Sequence, residues 1–262
     1  MTPNSIRSKW AAGEVTLGMW TAIPDPFAVE LTAHPDLDYI CLDQQHGLLD
    51  YADVVAMLPA IERHGILPIT RVPANESWII GRSLDAGAMG IVVPMISTGE
   101  EAAKAVAACR YAPRGTRSFG PIRAALAAGT NDPAQLESVL CIVMVETREG
   151  LDHLAEIVAT PGVDAVYVGP ADLALSLGVT PTLDAQDSVH AQAIDEIRRA
   201  CSAGGIAAGI QCSNGEHARR QIEAGFQMIT IGKDSALLQA AIRREVEASQ
   251  GVDAGDTAIA YT

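Results

Sequence analysis

An α/β fold, a closed (β/α)8 barrel of the TIM type built as a single domain over residues 1–262, is predicted by three observations. Short apolar runs alternate with stretches of helical periodicity, the pattern of parallel strands joined by crossover helices. Eight such runs occur. The length of 262 residues matches the roughly 250 that eight βα units need, and favours closure over an open sheet.

The runs are VTLGMW (15–20), YICLDQ (39–44), LPITRV (67–72), GIVVPM (90–95), CIVMVE (141–146), AVYVG (165–169), IAAGIQ (206–211) and MITIG (228–232). They are rich in Val, Ile, Leu and Ala, as suits strands covered on both faces. Segments such as YADVVAMLPAIERHG, GLDHLAEIVATPG and GEHARRQIEAG carry helix-like patterns between them. No Gly-x-Gly-x-x-Gly follows the first run and no phosphate-binding loop is present, which argues against a nucleotide fold. The first sixteen residues are polar and mixed, and about 250–262 reads as a loose tail. One connection, 111–140, is longer than the rest and contains Arg114, Arg117 and Arg123. Loops of this length in compact domains are often functional, a solvated surface excursion being the other reading.

The formal charge is −14, from 18 basic and 32 acidic side chains. Such a field repels nucleic acid and anionic membranes, so neither is an expected partner. An anionic small substrate would need a local cluster of arginines or a cation. Most of the acidity is explained by solubility. The five cysteines, Cys41, Cys109, Cys141, Cys201 and Cys212, form no Cys-x-x-Cys pair and are odd in number. They read as free thiols in a reducing, cytoplasmic setting. The segment MTPNSIRSKW has no apolar signal core, and no apolar stretch reaches the roughly 20 residues of a membrane helix.

In a barrel the C-terminal ends of the strands carry the chemistry. Asp43, Gln44, Gln45 and His46 follow the second run, and Arg71 ends the third. Glu146 ends the fifth, Gly169-Pro170-Ala171-Asp172 follows the sixth, Gln211 ends the seventh, and Lys233 follows the eighth. Two carboxylates facing one mouth repel unless a positive charge sits between them. Oxygen ligands with open positions suit Mg²⁺ or Mn²⁺, with Co²⁺ or Zn²⁺ as lesser candidates. Such an ion can polarise a carbonyl. Each residue also has an ordinary reading. Glu146 could pair with Arg148, Asp172 could cap the next helix, Arg71 could pair with Asp43, and His46 could be structural. Their arrival at one end of successive strands favours a site. His34, His153, His190 and His217 show no partner pattern and read as surface groups.

The strings LDQQHG (42–47), TRVP (70–73), MVETREG (144–150) and GPADLALSLG (169–178) resemble the HpcH/HpaI family of metal-dependent pyruvate aldolases, over about residues 14–245. The resemblance implies a carbon–carbon lyase. It would cleave 4-hydroxy-2-oxo acids to pyruvate, or a related 2-oxo acid, and an aldehyde through a metal-stabilised enolate. It assigns Glu146 and Asp172 as metal ligands, and the turn Gly169, Pro170, Ala171 and Asp172 as a carboxylate site. Arg71 falls beside the 2-oxo oxygen, and His46, oriented by Asp43, becomes the acid/base group. An acceptor pocket formed by the 111–124 loop, Gln211 and neighbouring subunits is implied, as is a homohexamer, a trimer of dimers that exchange the last helix, roughly 235–248. The chain departs from the family pattern at Gln45, Met144, Gln211 and Lys233.

Three other readings follow from the same residues. Lys233 at a barrel mouth could form a Schiff base. The metal carboxylates and arginine also suit a citrate lyase-like acyl-CoA lyase. A non-catalytic 2-oxo acid binding protein would keep the pocket without turnover.

Overall fold

The computed structural model describes residues 1–251, and the remainder of the expected tail lies outside the described residues. The strands are β1 (Thr16–Thr21), β2 (Tyr39–Asp43), β3 (Leu67–Arg71), β4 (Gly90–Val93), β5 (Leu140–Val145), β6 (Ala165–Val168), β7 (Ala207–Gln211) and β8 (Met228–Lys233). Each agrees with its apolar run to within about two residues. They close in sequence order, β1 to β8 and back to β1, with every pairing parallel. The helices are α1 (Pro3–Ala11), α2 (Pro26–Thr32), α3 (Tyr51–Glu62), α4 (Ser77–Asp85), α5 (Gly99–Ala108), α6 (Ile122–Ala128), α7 (Pro133–Leu136), α8 (Arg148–Asp152), α9 (Leu154–Val158), α10 (Pro170–Ser176), α11 (Ser188–Gly204), α12 (Gly215–Ala224) and α13 (Asp234–Ser249).

Strand alternation divides the core in two. Residues such as Ile40, Leu42, Ile91, Val93, Val143, Val145, Val166 and Ile210 point outward and pack under the helices. Cys41, Ile69, Val92, Ile142, Met144, Tyr167 and Met228 point inward and fill the barrel. Since side chains repeat every second residue, this phase decides what reaches the mouth. Two residues beyond Cys41 is Asp43, beyond Ile69 is Arg71, beyond Met144 is Glu146, and beyond Tyr167 is Gly169. Buried hydroxyls inside the barrel are satisfied locally. Tyr167 donates to Thr230 Oγ1 at 2.6 Å, and Tyr39 shares a 2.9 Å hydrogen bond with the same oxygen. Gly18 is required beside them, because a Cβ there would lie 2.2 Å from the Tyr39 ring.

The opposite end of the barrel is closed by α1, an element absent from the sequence-based expectation. Ile6 and Trp10, four residues apart on one helical face, join the inner cluster. Thr2 and Ser5 form a capping box at its start, and the Trp10 indole donates to Thr16 Oγ1 at 3.0 Å. Its polar residues face outward: Arg7 binds Asp164 at 2.7 Å and Lys9 binds Asp38 at 2.6 Å. A short, mostly polar helix with only two large buried side chains leaves little apolar periodicity to detect.

All five cysteines are buried and free. Among the described residues no helix is long and apolar enough to cross a membrane.

Candidate active site

One cavity at the C-terminal ends of the strands is lined by Trp20, Asp43, His46, Arg71, Met144, Glu146, Gly169, Pro170, Ala171, Asp172, Leu183, Gln211 and Lys233. Every residue singled out at strand ends as catalytic, metal-ligating or substrate-binding is therefore in one place. Trp20 and Leu183 complete the set. Trp20 carries the same signal as the others, being the last residue of the first apolar run. Leu183 does not, because it lies in the irregular segment between α10 and α11, and only the closed fold brings that segment over the mouth.

Asp43 and Arg71 are register partners on adjacent strands and form a two-pronged pair. Arg71 Nε donates to Asp43 Oδ1 at 2.8 Å and Nη2 donates to Oδ2 at 2.7 Å. Paired, hydrogen-bonded charges of this kind tolerate burial that an isolated charge does not. Burial alone would push the Asp43 carboxyl up, but Arg71 and the amides of His46 and Gln45 outweigh it and hold it below the usual range. Arg71 lies on the Trp20 ring, with its guanidinium carbon 4.4 Å from the ring centroid. Trp20 in turn stacks on Tyr167 with centroids 5.4 Å apart. The third nitrogen of Arg71, Nη1, has only Met144 Sδ near it, at 4.0 Å. Its hydrogens remain for an oxygen in the cavity.

The Asp43 carboxylate does not touch the His46 ring. It accepts the backbone N–H groups of Gln45 at 3.1 Å and His46 at 3.2 Å. Asp43 thus orients Arg71 and, through backbone amides, the loop that carries His46. Both carboxylate oxygens already face the guanidinium fork. His46 is exposed at the mouth.

Glu146 is only 1% exposed. Its Oε1 accepts the Met95 N–H at 2.7 Å, while Oε2 is buried without a hydrogen-bond partner. Met95 reaches this position with a left-handed φ of 57°, an unusual conformation for a residue with a side chain. Burial pushes the Glu146 carboxyl up to about 7; the Met95 amide opposes this, the charge of Asp172 adds to it, and Arg71 opposes it. Gly169 makes room for Oε2, since a Cβ at 169 would lie 2.0 Å from that atom. Pro170 opens α10, and Asp172 falls in its first turn. The first amides of a helix lack internal partners, so those of Ala171 and Asp172 are available to an anion.

An unpartnered buried carboxylate oxygen beside a second carboxylate is the arrangement a hard divalent cation satisfies. Among the described residues no cluster of three or more metal-ligating side chains occurs. Glu146 and Asp172 therefore fit an ion that draws its remaining ligands from water and substrate, not a closed structural centre.

Within one chain the 111–124 loop lies away from the cavity, so any part in an acceptor pocket would be played in a neighbouring subunit. The loop follows α5 and so emerges at the opposite end of the barrel. There Arg117 donates to Asp85 at 2.8 Å, and Arg123 pairs with Glu62 at 2.7 Å and donates to the Ala86 carbonyl at 2.7 Å. His190 and His217 are buried, not surface groups. His190, on α11, has no hydrogen bond at either ring nitrogen. Burial pushes its pKa down, opposed by the neighbouring Pro170 carbonyl. His217 Nδ1 faces the Ser213 amide at 3.3 Å, and its Nε2 lies 3.7 Å from Asp184. Asp184 also pairs with Arg220, which ties the segment bearing Leu183 to α12.

A family profile described as HpcH/HpaI aldolase/citrate lyase matches residues 16–241. A hydroxypyruvate/pyruvate aldolase from Rhizorhabdus wittichii is 39% identical over 244 residues, covering 93% of this chain and 97% of that protein. A 5-keto-4-deoxy-D-glucarate aldolase from Escherichia coli O6:H1 is 33% identical over 245 residues, covering 92% and 95%. The crystal structure of an HpcH/HpaI aldolase/citrate lyase family protein from Burkholderia cenocepacia J2315 superposes with a TM-score of 0.84 at 34% identity, covering 94% of this chain and 99% of that one. The fold and site define a barrel lyase acting on small molecules. The chain belongs to the HpcH/HpaI aldolase/citrate lyase family, and it is an aldolase, a carbon–carbon lyase.

Proposed function

We propose that the protein reversibly cleaves 4-hydroxy-2-oxo acids to pyruvate, or a related 2-oxo acid, and an aldehyde, with Mg²⁺ or Mn²⁺ between Glu146 and Asp172. One observation carries the reading. The buried, unpartnered Oε2 of Glu146 shares a cavity with Asp172, the uncommitted arm of Arg71 and the exposed ring of His46. The names of the two relatives, both aldolases and one of pyruvate, agree with it.

The bound cation supplies Lewis acidity to the 2-oxo carbonyl. The chain's own groups do the rest. The amides of Ala171 and Asp172 receive the substrate carboxylate. Arg71 Nη1 donates to the 2-oxo oxygen, where negative charge grows as the C3–C4 bond breaks. Asp43 and Trp20 hold the guanidinium in place for this. His46 takes the proton from the 4-hydroxyl, directly or through a water, as the aldehyde leaves, and returns it to C3 to complete the methyl group. Histidine suits this two-way transfer because imidazole titrates near neutrality.

Exchange of pyruvate methyl protons in deuterated water, followed by NMR, tests the reading. Exchange should require Mg²⁺ or Mn²⁺, stop with chelator and return with added metal. Exchange no faster with protein and metal than with metal alone would end it.

We also propose that the chain works as a cytoplasmic homohexamer of helix-exchanged dimers. Helix α13 makes its main contacts with β1 and β8. It leaves Leu238, Ile242 and Val246 about half exposed, at i, i+4 and i+8 on one face. Light scattering should give a hexamer, and Leu238→Asp with Ile242→Asp should shift it to smaller species.

A further inference from the structure

Lys233 is a cation at the mouth that none of these steps uses. On β8, Met228 and Thr230 face the barrel interior, while Ile229 faces the helices. Simple alternation would place Lys233 outside with Ile229. The pairing with β1 prevents this. Thr16, Leu17 and Gly18 oppose Met228, Ile229 and Thr230 one for one, but Trp20 then opposes Lys233. Three steps on β8 answer two on β1, a β-bulge, and bulges beside active sites re-aim side chains. Trp20 is an inward residue, so Lys233 joins it on the inner face and lines the cavity.

Lys233 has no ion pair or hydrogen bond among the described residues. Asp43 is already committed to Arg71, and Glu146 and Asp172 issue from β5 and β6, three and two strands from β8. The neighbours of Lys233 are Trp20 on β1 and Gln211 on β7, with His46 beyond β2. In the proposed reaction the aldehyde forms beside His46, which takes the 4-hydroxyl proton, and Lys233 lines the same cavity as that ring. The chain carries a net charge of −14, so an anion entering the mouth needs a local cation to offset the repulsive field.

We propose that Lys233 is a specificity-determining residue that selects aldehydes carrying a carboxylate or phosphate by pairing with the anionic end of the acceptor. This inference rests on the aldolase reading above. The measurement is kcat/KM for condensation of pyruvate with succinic semialdehyde, glyceraldehyde 3-phosphate and neutral butanal, in the wild type, Lys233→Met and Lys233→Arg. The wild type should prefer an anionic aldehyde over butanal, and the better of the two anions identifies the group selected. In Lys233→Met that preference should fall by about tenfold, the scale of one lost charge-assisted hydrogen bond, mainly through KM for the aldehyde. Lys233→Arg should retain most of it, and added salt should erode it in the wild type. Absence of a preference in the wild type, or equal losses on anionic and neutral aldehydes in Lys233→Met, would overturn the assignment. So would borohydride trapping of pyruvate on Lys233, which would make it a nucleophile. Pyruvate proton exchange separates the two levels: without it the aldolase reading fails and this inference with it, whereas exchange with an unmoved preference removes Lys233 alone.

Discussion

The two ends of the barrel treat charge in opposite ways. At the floor, Arg7 meets Asp164, Lys9 meets Asp38, Arg117 meets Asp85 and Arg123 meets Glu62, and α1 seals the opening. At the mouth, Glu146 keeps a buried oxygen unpartnered, and Lys233 has no partner among the described residues. Among the charged residues lining the cavity only Asp43 and Arg71 pair with each other, and that pair leaves one arm of Arg71 free. A group whose bonding is complete contributes to stability and offers nothing to a ligand. A group held incomplete costs stability until a ligand arrives. The same barrel therefore carries its stability at one end and its chemistry at the other.

The contrast can be broken most severely at the mouth, at the proposed metal ligands. Glu146→Ala should reduce metal-dependent turnover by about a thousandfold, the scale of losing a dominant electrostatic stabiliser. Isothermal titration should show weakened Mg²⁺ or Mn²⁺ binding. If Glu146→Ala keeps both, the carboxylate pair is not the ion site. His46→Ala should lower pyruvate proton exchange by about 10²–10³ while leaving metal affinity near that of the wild type. An exchange rate within a few-fold of the wild type would move the acid/base role elsewhere.

At the floor the sign reverses. Trp10→Ala should cost about 3 kcal/mol or more in denaturant unfolding, as large-to-small changes of buried aromatics do. The KM values of the folded fraction should stay close to the wild type. A large change in KM would show that the two ends are coupled.

A smaller effect follows from Glu146 itself. Its carboxyl titrates at about 4.5 when unperturbed and is pushed up to about 7 in the fold. Between those values the native state holds a proton the unfolded chain has lost. The stability of the metal-free protein therefore falls as pH rises through this window, and the full cost is reached above about 7. With roughly 1.4 kcal/mol per pH unit, the cost is of order 3 kcal/mol. Glu146→Gln carries no such charge. In chelator it should be more stable than the wild type at pH 8, with the difference closing toward pH 5. A difference independent of pH would mean that Glu146 is solvated and already ionised.

How much of this was legible in the sequence depends on distance along the chain. A short apolar run and its polar end are local properties. They placed Asp43, Arg71, Glu146 and Gln211 at strand ends and the Gly169–Asp172 turn just beyond one, and all line the cavity. Eight runs on a chain of this length favoured closure over an open sheet. The motifs suggested the roles proposed above, which position alone left open.

Tertiary structure decided what depends on neighbours remote in sequence. Asp43 had two candidate partners, and only the register of β2 with β3 gave both of its oxygens to Arg71. Trp20 lies against Arg71 because β1 closes the circle. Whether Lys233 faces in or out turned on one extra residue in β8 relative to β1, which alternation within a single strand cannot reveal. The arginines of 111–124 went to the floor because α5, which precedes them, runs antiparallel to the strands. Local periodicity determines which face a residue occupies within its own element. Only pairing and closure determine which faces meet.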